Sequence, residues 1–390
     1  MSEDLKRAAR AATEKSREDL VELSHRIHAE PELGYEEQES AAAVAEMLAG
    51  AGFEVRTGIH DLPTAFAARA GDGPLHIAIC CEYDALPEIG HACGHNVIAA
   101  MSAGAGMALL PVADDAGLTV SVLGTPAEEG GGGKIELLER GAFDGVHAAM
   151  MVHPAPFDVV EMPIIAAVQF EVRYTGKEAH ASAFPELGIN AADALVVAQS
   201  AIGLLRQHLR PTDRVHGIVT KGGDAPNVVP AHTSAMYMVR AETLADLDQV
   251  REKVVRCFEA GALATGATLD VEPVGKPYAE MRHDPDMASL YERNARALGR
   301  PLMEPGEDLR RAAASTDMGN VSLAIPSIHP MIGIDSLPAV NHQPEFTAKC
   351  VTEAADRAVF DGAVAMAWTA IDLAADGRVR DRLLSARAGA

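Results

Sequence analysis

The chain has 390 residues, of which 48% are hydrophobic and 23% charged, a composition typical of a soluble globular protein with room for two cores. Its 33 basic and 56 acidic residues give a formal charge of −23, and no basic cluster stands out, so we expect no nucleic acid and no membrane as partner. The opening residues lack the apolar core of a signal peptide, no apolar run approaches the roughly 20 residues that span a bilayer, and five scattered cysteines do not form a disulfide framework. We therefore expect a cytoplasmic protein.

The first part of the chain alternates between apolar strands and amphipathic or apolar helices. The predicted elements are strands at 53–57, 64–69, 75–81, 118–124 and 146–152 and helices at 3–29, 38–51, 96–110 and 134–140. The run at 75–81 is apolar except for His76, as in a strand buried on both faces. This alternation predicts an α/β domain built on a doubly wound, mostly parallel sheet.

The pattern changes after residue 162. The predicted elements there are a strand, a helix, two strands, a helix and a strand, at 164–175, 188–209, 214–220, 233–241, 244–264 and 267–274. This β-α-β-β-α-β order is the split ferredoxin-like unit, so we expect an inserted α+β domain at 163–276. The catalytic domain would then consist of residues 1–162 and 277–390. An alanine-rich helix at 350–375 is expected to cover its sheet, and the tail at 376–390 to be disordered.

Three consecutive strands of the first domain lead into residues that can bind metal ions. Cys93 and His95 follow the first strand, Glu128 and Glu129 follow the second, and His153 ends the third. Ligands of open α/β sheets bind beyond the carboxyl ends of the strands, and thiolate and imidazole suit zinc and other late divalent metals. Taken singly, these residues could equally form a helix cap, a solvated acidic loop and a structural histidine. Their coincidence at three strand ends favours a metal site.

Other polar motifs lie in the inserted domain and near the C terminus. His180 could donate a hydrogen bond to a developing oxyanion, and Asn227 could bind a substrate carboxylate or carbonyl, although either could be loop scaffolding. His329 and His342 are further candidates. The glycines before Lys134 lack the spacing of a phosphate-binding loop.

Together these motifs resemble those of the dinuclear zinc amidohydrolases that include aminoacylases, hippurate hydrolase and plant auxin-conjugate hydrolases. The resemblance covers nearly the whole chain and is carried by His25-Arg-Ile-His-Ala-Glu-Pro-Glu-Leu-Gly, Asp84-Ala-Leu-Pro, His91-Ala-Cys-Gly-His, Pro126-Ala-Glu-Glu, Val152-His-Pro, Ala179-His-Ala-Ser and Pro226-Asn-Val-Val-Pro. Cys81-Glu-Tyr-Asp-Ala-Leu-Pro and Ser315-Thr-Asp-Met-Gly-Asn-Val-Ser are similar to a narrower branch, which holds the p-aminobenzoyl-glutamate hydrolases and the β-alanyl-lysine dipeptidases.

The resemblance implies a zinc-peptidase-like catalytic domain, with the inserted domain as its lid and dimerisation domain. It also implies two divalent metal ions, with zinc favoured and manganese or cobalt as alternatives. The implied ligands are Cys93 as the bridge, His95, Glu129, His153 and a C-terminal histidine, best matched by His342. His329 is the rival for that last position and is otherwise assigned, with Asn227, to substrate binding.

The resemblance further implies that Glu128 is the general base. His180 would reach the active site of the other subunit, so a homodimer formed through the lid domain is expected. Glu82 and Asp84 stand where more distant relatives carry a His-x-Asp ligand pair. In the branch that uses cysteine the bridging role passes to the thiolate, so we leave both carboxylates out of the ligand set and expect Asp84 to orient a ligand.

The sequence therefore predicts a metal-dependent amidohydrolase of aminoacylase or dipeptidase type. Its expected substrates are small N-acyl amino acids or dipeptide-like amides, attacked by a metal-bound water that Glu128 deprotonates. The alternative is a non-catalytic metal- or peptide-binding protein that retains the site, which would have no need for Glu128 beside a ligand carboxylate. The signature of the zinc deaminases is absent.

Overall fold

The computed structural model describes residues 2–304, 306 and 314–385. Its backbone contacts divide the chain into two units, one formed by Met1–Pro163 with Met281–Ala390 and the other by Ile164–Glu280. The second unit runs beyond residue 276, where we expected the insertion to end, because its last strand continues to Tyr278.

The strands are β1 (Glu54–Thr57), β2 (Phe66–Ala70), β3 (Leu75–Cys81), β4 (Leu118–Gly124), β5 (Ala148–Met150), β6 (His153–Ala155), β7 (Ala166–Thr175), β8 (Arg214–Lys221), β9 (His232–Ala241), β10 (Thr268–Tyr278), β11 (Ser327–Ile328) and β12 (Met331–Gly333). The helices are α1 (Ser2–Lys15), α2 (Arg17–Ala29), α3 (Gln38–Ala51), α4 (His95–Leu109), α5 (Ala113–Ala116), α6 (Gly133–Glu139), α7 (Ala191–Leu205), α8 (Leu244–Thr265), α9 (Pro285–Ala297), α10 (Met318–Ala324), α11 (Pro344–Lys349), α12 (Glu353–Ala375) and α13 (Gly377–Ser385).

The main sheet of the first unit has the strand order β1-β2-β4-β3-β5-β11. The pairs β4–β3, β3–β5 and β5–β11 are parallel, while β1 and β2 form an antiparallel edge. Successive side chains of β3 enter two different cores: Ile77 and Ile79 pack with α4 and α12, whereas Ala78 and Cys80 pack with α6 and α10. The sheet is thus covered by helices on both faces, which confirms the predicted doubly wound α/β class.

Two helical segments, His95–Ala116 and Glu353–Ala375, are long and apolar enough to cross a membrane by length and composition alone. In each of them 83% of the apolar window is buried inside the structure, as in the core helices of globular domains. The expectation that no apolar stretch reaches a spanning length was wrong for these two segments, because their many small residues extend the apolar run. Those residues permit close packing: a Cβ on Gly362 of α12 would lie 1.8 Å from the Met101 sulfur of α4.

The C-terminal tail contains a helix. Residues Gly377–Ser385 form α13, whose Val379 and Leu383 are buried against the main core. The expected disorder was therefore wrong for this segment, because its apolar residues recur at helical spacing and find a core to pack against. Residues 386–390 lie outside the described part of the chain.

The second unit is an antiparallel sheet with the strand order β10-β7-β9-β8. Its helices α7 and α8 pack against each other and against the sheet. The core includes Phe170, Tyr237 and Phe258, and the rings of the last two meet edge to face with centroids 4.9 Å apart. The β-α-β-β-α-β order of the ferredoxin-like unit is present as predicted.

Candidate metal centre

The metal-binding side chains predicted from the strand ends meet in the first unit. Three groups each have their ligand atoms within 4.8 Å of one another: Cys93 with His95 and His153, Cys93 with Glu129 and His342, and His95 with Glu128 and Glu129. Cys93 belongs to the first two groups, so its sulfur lies between two positions at which an ion could bind. This arrangement suits a thiolate that bridges two metal ions.

The separations between these atoms match those of ligands that share one ion. Cys93 Sγ lies 3.5 Å from His153 Nε2, and His342 Nε2 lies 3.5 Å from Glu129 Oε1. His95 Nε2 is 3.9 Å from the nearest oxygen of each glutamate of the pair. Ligands held at about 2.0–2.3 Å from a tetrahedral ion are themselves roughly 3.3–3.8 Å apart. The side chains are therefore close to a coordinating geometry.

The local backbone explains how Cys93 and His95 come to face the same site. Gly94 between them has φ +82° and caps the N terminus of α4, which begins at His95. This left-handed conformation turns the chain sharply, and only glycine adopts it without strain. A Cβ on Gly94 would also lie 2.5 Å from the Pro154 ring, so the strand that carries His153 could not approach as closely.

His153 begins a strand, whereas the sequence predicted that it ends one. The expected strand at 146–152 is only β5, Ala148–Met150, in the main sheet, and a second strand, β6, begins at His153 and pairs with β12 in a separate two-stranded sheet. The chain passes from one sheet to the other at Met151 and Val152, just before the histidine. This change of sheet places the His153 ring beside Cys93.

Buried hydrogen bonds orient the predicted ligands. Asp84 Oδ1 is paired with His95 Nδ1 at 2.9 Å, and Asp84 Oδ2 accepts from the Glu129 backbone N–H at 2.9 Å. Within the described part of the chain, His95 Nε2 and Glu129 Oε1 are buried and make no hydrogen bond of good geometry, and the nearest polar atoms, Glu82 Oε2 and His342 Nε2, lie 3.4 and 3.5 Å away. A buried polar atom without a partner is costly, and a bound cation would satisfy both. The donor set therefore fits a metal centre.

Burial also controls the protonation of two of the candidate ligands, His153 and Cys93. It lowers the pKa of His153 to about 4, which keeps the ring neutral and able to coordinate. It raises the pKa of the Cys93 thiol, and the nearby Glu129 carboxylate raises it further. Thiolate formation at Cys93 therefore needs a cation, which a metal ion would supply.

A fourth group of acidic side chains lies next to the centre, and the sequence did not predict its organisation. Glu82, Glu128 and Asp317 also have oxygens within 4.8 Å of one another. The Lys134 ammonium is 2.5 Å from Glu82 Oε1 and 2.7 Å from Asp317 Oδ1, and these three side chains are fully buried. The chain's own cation thus pairs with two of these three carboxylates. In the sequence, the only indication of this group was a lysine that follows a run of glycines, and nothing there indicated which carboxylates it would pair with.

The remaining predicted residues occupy different positions. His329 is buried, with its ring centroid 5.5 Å from that of His153, but it joins none of the metal-type groups formed by the described residues. His342 does join one, and its side chain is 57% exposed. His180 and Asn227 belong to the second unit, where the Ala181 N–H donates to the Asn227 carbonyl at 3.0 Å. Both side chains are exposed within that unit.

Comparisons with known proteins agree with this fold. Residues 166–265 match the family described as the M20 peptidase dimerisation domain. The mouse Xaa-Arg dipeptidase is 39% identical over 386 residues, covering 95% of this chain and 89% of that protein. One of the subunits of the p-aminobenzoyl-glutamate hydrolase of Escherichia coli is 34% identical over 280 residues, covering 66% of this chain and 58% of that protein.

Solved structures share the fold over nearly the whole chain. A Bacillus subtilis protein described as a dinuclear metal-binding peptidase of the M20 family has a TM-score of 0.70 at 22% identity, covering 92% of this chain and 99% of that one. An aminobenzoyl-glutamate utilization protein from Klebsiella pneumoniae has a TM-score of 0.70 at 19% identity, covering 91% and 96%. The fold, the metal-type site and the relatives define a metal-dependent amidohydrolase. The chain belongs to the M20 peptidase family.

Proposed function

We propose that this enzyme hydrolyses the amide bond of small dipeptides or N-acyl amino acids, with Glu128 as the general base. The observation that carries the proposal is the position of Glu128, whose carboxylate lies within 4.8 Å of both His95 Nε2 and the Glu129 carboxylate. Cys93, His95, Glu129, His153 and His342 would hold two divalent ions. Cysteine and histidine ligands favour zinc. Such ions polarise a carbonyl oxygen and lower the pKa of water.

Glu128 then has two tasks in succession. It takes a proton from the attacking water and later delivers it to the nitrogen of the leaving amine. The carboxylate is buried, and burial together with the neighbouring Glu82 raises its pKa, so it can hold that proton between the two steps. A protein that only bound a metal or peptide would have no use for this second carboxylate.

His180 and Asn227 are proposed to bind the substrate. His180 Nδ1 accepts hydrogen bonds from backbone N–H groups of its own loop, among them Ala183 N at 3.3 Å. A neutral ring of this kind carries its proton on Nε2, which can donate to the oxyanion. We assign this role to the His180 of a second copy of the chain, in a homodimer formed through the second unit.

The relatives suggest where to look for the substrate. The mouse and human proteins that match nearly the whole chain are named Xaa-Arg dipeptidases, so dipeptides with a basic C-terminal residue are the first candidates. p-Aminobenzoyl-glutamate is the second, from a relative matched over a shorter stretch. We also propose a cytoplasmic location, where a thiolate ligand such as Cys93 stays reduced.

The test is the release of free amine from a panel of amides by the metal-loaded protein. The panel holds Xaa-Arg and Xaa-Lys dipeptides, β-alanyl-lysine, p-aminobenzoyl-glutamate and N-acetyl amino acids, each with and without a chelator. Glu128→Gln should keep its metal and lower kcat by about 10²- to 10⁴-fold, whereas Glu46→Gln, on the exposed face of α3, should be unchanged. Turnover retained in Glu128→Gln would refute the assignment of the base. A metal-loaded dimer that cleaves nothing would favour the binding-protein alternative.

A further inference from the structure

The segment at 32–37, which follows Pro31, contacts two of the loops near the metal centre. One loop contains Asp84, and the other follows Glu128 and Glu129. The Ala85 N–H, next to Asp84 in the chain, donates to the Glu32 carbonyl at 2.8 Å. The Tyr35 hydroxyl donates to the Gly131 carbonyl at 3.0 Å, in the loop that follows the two glutamates. The family motif that begins at His25 ends at Gly34, within this segment, and the segment has no role in the function proposed above.

Glu37, at the end of this segment, has an unusual environment for a carboxyl group. Its side chain is fully buried, and its Oε1 accepts a hydrogen bond from the Ala127 N–H at 2.8 Å. Burial, and then the charge of Asp84, raise its pKa to about 7. A polar group is rarely kept in such a place unless its hydrogen bonds serve a purpose.

Ala127, which donates this hydrogen bond to Glu37, has a strained backbone conformation that the bond can stabilise. Its φ is +56°, in the left-handed region that residues with a Cβ rarely adopt. Its carbonyl accepts from the N–H groups of Gly131 and Gly132 at 3.0 and 2.9 Å, which closes a tight turn. Glu128 is the next residue, so the backbone of Ala127 determines the direction in which that side chain leaves the turn.

The segment also encloses Ala127 sterically. A Cβ on Gly34 would lie 2.9 Å from the Ala127 Cβ, closer than real side chains approach. The absence of a side chain at Gly34 therefore lets the segment lie directly against the turn. Glu37 and Gly34 thus both contact Ala127, one through a hydrogen bond to its backbone and the other through close packing against its Cβ.

We propose that Glu37 is a positioning residue that holds the Ala127 turn and thereby aims Glu128 into the metal centre. It acts through the backbone of Ala127. The proposal rests on the proposed function in one respect, which is the role of Glu128 as base. A misplaced base lowers the rate of the chemical step and leaves substrate binding by other residues intact.

The test compares two substitutions of the same residue. Glu37→Met removes the acceptor at similar length, while Glu37→Gln keeps an oxygen for the Ala127 N–H. We expect kcat to fall about 10- to 100-fold in Glu37→Met, with KM within about twofold and metal content unchanged. Glu37→Gln should stay within about threefold of the wild type. An unchanged kcat in Glu37→Met, or equal losses in both variants, would overturn the proposal.

A second substitution separates positioning from general loss of structure. Glycine adopts a left-handed φ without support, so adding Ala127→Gly to Glu37→Met should recover most of the lost kcat. A failure of this rescue would contradict the proposal. If Glu37→Met does not fold, Glu37→Asp takes its place, because its shorter side chain keeps a carboxylate but withdraws the acceptor from the Ala127 N–H, and it should show the same loss in kcat.

Hydrogen exchange of the peptide that covers 126–132 gives a readout independent of activity. Exchange should be faster in Glu37→Met than in the wild type or Glu37→Gln, and equal rates in all three would refute the proposal. This measurement also distinguishes the two failures. If Glu128→Gln keeps full turnover, the base assignment fails while the exchange result still decides whether Glu37 holds the turn.

Discussion

Asp84 and His95 form a fully buried pair in which Oδ1 and Nδ1 are 2.9 Å apart. Because Nδ1 of His95 is engaged by the carboxylate, Nε2 is the nitrogen that remains for a metal ion. The other oxygen of Asp84 accepts from the Glu129 backbone N–H. One carboxylate thus orients two of the predicted ligands, from two different loops.

Asp84→Asn should weaken metal binding by about 10- to 100-fold, because an amide cannot accept both hydrogen bonds. Competition with a chromophoric chelator measures this affinity. Asp114→Asn is the control, since Asp114 also accepts a backbone hydrogen bond, from Asp72 at 3.1 Å, but lies away from the site. Equal affinities for the Asp84 variant and the wild type would show that the pair does not orient a ligand.

Lys134→Met should lower the free energy of unfolding by about 3 to 5 kcal/mol, because it leaves Glu82 and Asp317 as buried carboxylates without their cation. Denaturation by urea measures the change. Adding Glu82→Gln should recover part of the loss, since one uncompensated charge is then removed. Arg56→Met, which breaks an exposed ion pair with Glu54, should leave the stability unchanged. A loss confined to activity would argue that the lysine has no structural role.

The pKa of His76 predicts how the free energy of unfolding depends on pH. Its ring lies on β3 with Nε2 2.8 Å from the Ser121 hydroxyl, and burial, followed by the charge of Arg69, lowers its pKa to about 4. Between pH 6.5 and 4 the unfolded chain therefore binds a proton at this site that the folded protein does not. The contribution of this site to the free energy of unfolding is complete above pH 6.5 and is lost as the pH falls through this window.

His76→Gln should reduce that loss by about 2 to 3 kcal/mol at pH 4 relative to pH 7, because glutamine does not titrate. Urea denaturation at a series of pH values gives both curves. The exposed His208→Gln serves as the control and should follow the wild type. Parallel curves for His76→Gln and the wild type would contradict the assignment.

Mixed dimers test whether His180 acts in the other subunit's site. His180→Ala should lower kcat by about 10²- to 10³-fold, the usual effect of losing an oxyanion donor. Glu128→Gln should lower it for a different reason, the loss of the general base. After dissociation and reassociation of an equal mixture, half of the dimers are mixed and each has one intact site, so activity should return to about a quarter of the wild type. A mixture that stays inactive would show that each chain completes its own site.

The sequence predicted those elements of the fold that are marked by a pattern of residues within one short stretch of the chain. The mainly apolar runs at 75–81 and 118–124 coincide with β3 and β4, because a strand buried on both faces consists largely of apolar residues. The prediction failed at His153, which begins β6 in a second sheet although the sequence predicted that it ends the strand before it. Nothing in the run itself marks that change, since it depends on β12, which follows much later in the chain.

The sequence by itself determined the two-part organisation, the ferredoxin-like insertion and the chemical type of the side chains at the strand ends, because periodicity and residue chemistry are local properties. Only the tertiary structure decided which partner each buried polar group has. Lys134 meets Asp317 across 183 positions of the chain, and Ala127 meets Glu37 across 90. A buried hydrogen bond or ion pair depends on distance in space and on exclusion of water, and neither is encoded in the spacing of residues along one sequence.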